Sequence, residues 1–174
     1  TQGLPAGVQE EFIVLPWNNL DLVERTLAAR HAEVAAIITE PVMCNSGCIP
    51  PEPGFLEGLR HLCDQYDIAL IFDEVITGFR LSLGGAQAYY GVTPDLAVFA
   101  KAMANGYPIS ALAGKQRWMQ PIADGKVIHA GTMNSSNPTV AAALATIEVL
   151  ERDNVHAHIF ALSCLLYTSD AADE

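Results

Sequence analysis

Residues 68–74 read Ile-Ala-Leu-Ile-Phe-Asp-Glu. Five apolar residues in unbroken succession, closed by two carboxylates, predict a short strand covered on both faces; a strand with one wet face would alternate. Upstream, Phe55, Leu56, Leu59, Leu62, Cys63 and Tyr66 recur at helical spacing and mark one face of a helix. Further back, Ala35 to Thr39 is a second short apolar strand ending at Glu40-Pro41. Asn19 suits the N-cap of a helix over 20–30, whose inner face is Leu20, Val23, Leu27 and Ala28. The Gly-, Pro- and Ser-rich stretch 43–54 reads as a loop. Downstream, a loop over 77–94 leads to Asp95-Leu96-Ala97-Val98-Phe99-Ala100 and then Lys101. Ser110 to Ala113 is one more candidate strand, and Asn137 and Pro138 are suited to N-cap and N1 of a helix to about Arg152. Helices alternating with buried strands predict an α/β architecture, a mostly parallel sheet with flanking helices. Ligands of such sheets gather beyond the carboxyl ends of the strands. Asp73-Glu74 and Lys101 both stand there.

Composition narrows the function. The chain has 174 residues, 51% hydrophobic and 17% charged, enough apolar material for a packed core and too much for a disordered chain. No apolar run approaches the roughly 20 residues of a membrane span, so no membrane partner is expected. Nine basic residues against 20 acidic ones give a net charge of −11, which opposes binding to nucleic-acid phosphates and favours solubility. The first residues lack the basic and apolar regions of a secretory signal. Cys44, Cys48 and Cys63 make an odd set ahead of the final residues, as in a reducing, cytoplasmic compartment. Cys44-x3-Cys48 has no second Cys or His pair at zinc spacing, so no metal site is expected. Residues 164–174, Cys-Leu-Leu-Tyr-Thr-Ser-Asp-Ala-Ala-Asp-Glu, resemble the translated read-through of a sequencing-library adapter. The expected organisation is therefore one partial domain over 1–163, open at both ends, followed by a foreign tail over 164–174.

The candidate chemistry is the pair Asp73 and Lys101, 28 residues apart and each at a strand end, although a strand-end lysine is often simply solvated. A lysine at the edge of an apolar sheet is readily desolvated, which lowers its pKa and makes the amine a nucleophile toward aldehydes. A nearby carboxylate can keep a pyridinium nitrogen protonated. These are the two groups that a pyridoxal phosphate (PLP) enzyme needs. A strand ending in Asp73-Glu74 also fits the Mg²⁺-binding strand of a P-loop ATPase. That fold requires Gly-x4-Gly-Lys-Ser/Thr, and Gly125-Lys126 is followed by Val127.

Several motifs in order resemble the class III aminotransferases. They are Glu40-Pro41-Val42, the stretch from Pro51 to Arg60, Ile71-Phe72-Asp73-Glu74-Val75-Ile76-Thr77-Gly78-Phe79-Arg80, Gly84-Gly85-Ala86-Gln87, the stretch from Tyr90 to Leu96, Phe99-Ala100-Lys101, Gly131-Thr132 and Asn137-Pro138. The resemblance covers about residues 8–152. It implies part of the large domain of the fold type I PLP-dependent transferase fold, with PLP as cofactor. It implies a cytoplasmic homodimer that moves an amino group between an amino acid or amine and a keto acid or aldehyde. By the same resemblance Lys101 is the Schiff-base lysine and proton shuttle, and Asp73 the partner of the pyridine nitrogen. Val75 packs on one ring face, and Thr132 donates to the phosphate of the neighbouring subunit's cofactor. Burial in a strand would account for Val75 by itself, and a turn for Thr132. Glu40 and Arg80 match positions read as polar ties within the domain.

Two positions depart from relatives acting on ornithine or γ-aminobutyrate. Asn45 stands where those have Glu, and Ile76 where they have Gln. Both resemble the branch containing glutamate-1-semialdehyde aminomutase. The stretch Ala102-Met103-Ala104-Asn105-Gly106 and the spacing from Thr132 to Asn137 differ from that enzyme. Amino transfer is the leading expectation and aminomutase isomerisation the alternative. The phosphate loop, the ring-stacking aromatic and the small domain with its carboxylate-binding Arg have no match in the chain, so a polypeptide of this span is expected not to turn over unaided.

Overall fold

The structure is a computed structural model describing residues 3, 5 and 7–168, the last four by backbone alone. Four strands form one sheet in the order β1-β2-β3-β4: Ala36–Thr39, Ala69–Glu74, Leu96–Phe99 and Ala111–Gly114. β1, β2 and β3 run parallel, and β4 is antiparallel to β3. The sheet is thus α/β and mostly parallel, as its apolar strands imply.

The helices α1 (Leu20–Arg30) and α2 (Phe55–Tyr66) pack against one face of the sheet. Asn19 caps α1 through its side chain, which accepts from the Leu22 N–H at 3.0 Å. Phe55, Leu56, Leu59, Leu62 and Cys63 of α2 are all buried, and with Val23 and Leu27 of α1 they meet Leu70 and Phe72 of β2. Burial alternates along β2: Leu70, Phe72 and Glu74 are buried, whereas Ile71 and Asp73 are half-buried. Ala69, on the Asp73 face, is buried as well, so both faces of β2 are covered, the one under α1 and α2 more completely.

Three further helices lie where no helix was expected. Residues 77–94, read as a loop, contain α3 (Gly85–Tyr90). Residues 116–123 form α4 (Gln116–Ala123), with Pro121 inside it, and α6 (Val155–Thr168) follows α5 (Asn137–Arg152). The cap of α5 is Ser136, one residue earlier than Asn137; the Thr139 hydroxyl donates to the Ser136 carbonyl at 2.9 Å and closes the first turn. The second apolar cluster joins α5 to the turn after β3 through Ala143, Met103 and Ala104, with Phe79 and Phe99 alongside. Of the tail read as foreign, residues 164–168 continue α6, and 169–174 lie outside the described residues.

Candidate active site

Asp73 and Lys101 reach the same end of the sheet because β2 and β3 are parallel. Asp73 is in register with Val98, and Lys101 follows three residues later. The Asp73 side chain turns back on its own backbone, its Oδ1 accepting from the Val75 N–H at 3.0 Å. That bond orients the carboxylate and leaves Oδ2 unengaged among the described residues. Val75, itself half-buried, is therefore linked to Asp73 as well as adjacent to it.

Lys101 opens a single 3₁₀ turn, Lys101–Ala104, directly after β3. Its φ is +42°, in the left-handed region that costs an L residue free energy. Met103 and Ala104 are buried against α5 and anchor this turn. The other two lysines are ion-paired, Lys115 with Asp95 at 2.9 Å and Lys126 with Asp124 at 3.4 Å. Lys101 has no ion pair or side-chain hydrogen bond among the described residues.

Glu74 has a role that sequence reasoning did not assign. Its side chain is fully buried on the face opposite Asp73. Oε2 accepts from the Thr77 hydroxyl at 3.0 Å and from the Ala86 N–H; Oε1 accepts from the Gln87 N–H at 3.0 Å and from Gln87 Nε2 at 3.1 Å. The carboxylate thereby satisfies amide groups at the start of α3, which have no partners within that helix. One dipeptide thus sends one carboxylate to the open face and another into the scaffold. The available signal was the co-occurrence of Thr77, Gly85 and Gln87 in the same motifs, which specified no partner.

Asp95 secures the opposite end of β3. Its Oδ2 accepts from Arg60 of α2 at 2.7 Å and from the Leu70 N–H of β2 at 2.8 Å, while Lys115 reaches Oδ1. Burial alone would push this carboxyl up; the Leu70 amide, Arg60 and Lys115 outweigh it and hold the pKa at about 2. Arg60 Nε, buried in the same knot, has no hydrogen-bond partner among the described residues.

Thr132 lies on the exposed turn before α5 and has no hydrogen bond to Asp73, Val75 or Lys101. Asp73, Val75 and Lys101 share one end of the sheet. Glu40 is a polar tie, as expected, accepting from the Cys44 N–H at 3.2 Å and Asn45 Nδ2 at 3.1 Å. The Arg80 side chain makes no hydrogen bond or ion pair among the described residues. A cleft of about 610 Å³ runs along β1, lined by Phe12, Ile13 and Ile38 among others and by none of these groups.

The mostly parallel sheet brings to one end a carboxylate and an amine, the two groups that PLP chemistry uses. The family model of class III aminotransferases matches residues 11–169, and the chain belongs to that family. Its structure is similar to an ω-transaminase from Sphaerobacter thermophilus, with 36% identity, a TM-score of 0.81, and 86% of this chain matched to 35% of that one. It is also similar to a transaminase solved with PLP bound, at 29% identity and TM-score 0.81, covering 86% of this chain and 36% of that one. A β-phenylalanine aminotransferase from Variovorax paradoxus matches at 33% identity and TM-score 0.71, covering 76% and 31%. The chain spans about a third of the length of these proteins. The fold is that of the PLP-dependent transaminases. The nearer likeness to the aminomutase branch gains no support from these transaminase neighbours.

Proposed function

We propose that this chain is part of the PLP-binding large domain of an aminotransferase that moves an amino group between an amino acid or amine and a keto acid or aldehyde. Residues 1–163 belong to that domain in this reading, and 164–174 do not. The observation that carries the reading is the free Asp73 Oδ2 and the unpaired Lys101 amine at adjacent parallel strand ends. Those groups suit the cofactor: a carboxylate acceptor for a protonated ring nitrogen, and an amine for an aldehyde. PLP, when bound, supplies an electron sink conjugated to the carbon that exchanges its amino group.

Asp73 would hold the cofactor at its ring nitrogen and keep a proton there, with the Val75 amide keeping the carboxylate aimed. Val75 would limit water at the ring face. Lys101 Nζ would hold the cofactor at its aldehyde and carry a proton to and from the substrate carbon. Thr132 serves the phosphate of a second subunit, which makes the complete enzyme a cytoplasmic homodimer in this reading. Transamination is preferred over isomerisation because the similar solved structures are transaminases.

Borohydride reduction of the PLP-loaded complete protein, followed by peptide mapping, tests the reading. A cofactor fixed to Lys101 is expected. A cofactor fixed to Lys115 or Lys126 overturns it.

A further inference from the structure

The turn after β1 carries a pair of thiols that the proposed catalytic chemistry does not use. Met43 and Ile49 form an antiparallel bridge, with Met43 N–H to Ile49 O at 3.0 Å and Ile49 N–H to Met43 O at 3.3 Å. Cys44 and Cys48 are the next residues inward on the two limbs. Cys44 opens the 3₁₀ turn Cys44–Ser46, and the return through Gly47 carries Cys48 back toward it; a disulfide spans Cα atoms about 4.4–6.8 Å apart. The Cys48 side chain points across the turn, its Sγ 3.8 Å from the Cys44 carbonyl. Cys48 is exposed and Cys44 half-buried. Gly47 at φ +107° and Cys48 at φ +54° make the sharp return that brings the limbs together. No group of three or more His, Cys, Asp or Glu suited to a metal exists among the described residues.

We propose that Cys44 and Cys48 are a modification site, a dithiol that closes to an intramolecular disulfide by exchange with a low-molecular-weight disulfide such as glutathione disulfide. The exposed Cys48 thiolate attacks one sulfur of glutathione disulfide; the S–S bond breaks and one glutathione thiolate leaves. The Cys44 thiolate then attacks the Cys48 sulfur of the mixed disulfide and expels the second glutathione. Two protein thiols are oxidised, and one glutathione disulfide is reduced to two thiols, which take up both electrons and both protons. Burial, then the neighbouring Cys48 and Glu40, push the Cys44 thiol up from its ordinary value, so ring closure, which needs the Cys44 thiolate, quickens as pH rises.

The site is independent of the transaminase reading, and its test uses no cofactor. The reduced full chain is incubated with glutathione disulfide, quenched with N-ethylmaleimide and mapped by mass spectrometry. The expected result is loss of two hydrogens from the peptide spanning 44–48, with neither cysteine alkylated and the buried Cys63 still a thiol. Cys44→Ser should leave a stable glutathione adduct on Cys48, which the wild type does not accumulate. Cys48→Ser should suppress modification of Cys44. A lasting adduct on wild-type Cys48, or a disulfide joining either residue to Cys63 or to another chain, overturns the proposal.

Discussion

The Glu74 carboxylate occupies the space that a Cβ on Gly85 would fill. Gly85 sits at φ +73°, and an added methyl would overlap Oε2 of Glu74. The glycine is therefore needed twice, once for its backbone conformation and once for the room it leaves the buried acid. Through this contact the end of β2, which carries Asp73, is fixed to α3.

Gly85→Ala should destabilise the chain by roughly 2–4 kcal/mol, the left-handed strain adding to the loss of hydrogen bonds from a buried carboxylate. Urea unfolding of both forms reads this directly. A difference smaller than about 0.5 kcal/mol, the range of neutral surface changes, contradicts the role given to this contact.

Acid should weaken the fold through Asp95. Its folded pKa, about 2, lies below the ordinary 3.8, so the folded state binds fewer protons than the unfolded one in that interval. The stabilisation is complete above about pH 4 and is lost as pH falls toward 2, amounting to about 2 kcal/mol. Asp95→Asn should be less stable at pH 6 and should have a shallower loss between pH 4 and pH 2. An unchanged acid limb in the variant means that other carboxylates govern it.

Lys101→Gly separates fold from chemistry. The left-handed backbone at 101 suits glycine, so stability of the chain should hold or rise by about 1 kcal/mol. In the complete protein the same change should abolish borohydride trapping of PLP. A clear fall in melting temperature would show that the lysine side chain, not the backbone, secures the turn.

Asp73→Asn should lower amino-transfer activity of the complete protein roughly 10²- to 10⁴-fold, taking about 3–5 kcal/mol for one partner of a buried ion pair. Near-normal turnover removes Asp73 from the proposed site.

Thr132 can be tested by mixing complete proteins carrying Lys101→Ala and Thr132→Ala. A hybrid dimer places both lesions in one site and neither in the other, so activity should return on subunit exchange. Confirmed exchange without recovery places Thr132 outside the neighbouring subunit's site.

The local pattern of the chain was enough to locate the strands and to put Asp73 and Lys101 at strand ends. Unbroken apolar runs give β1, β2 and β3 within a residue or two of their observed ends, and the spacing from Phe55 to Cys63 gives the buried face of α2. Asp73 and Lys101 were legible because each directly follows apolar strand residues, and two parallel strands must bring their carboxyl ends to one side. The tertiary structure decided what depends on partners distant in sequence. α3 is short and begins with glycines, and its first amides are satisfied by Glu74, an acid on a different element, so no periodicity within 77–94 announces it. The same holds for Asp95, whose low pKa arises from Arg60, Leu70 and Lys115 meeting around one carboxylate. Strand positions and apolar periodicity are written into neighbouring residues by covalent geometry, whereas strand order and the donors of a buried charge are settled only when separate elements pack.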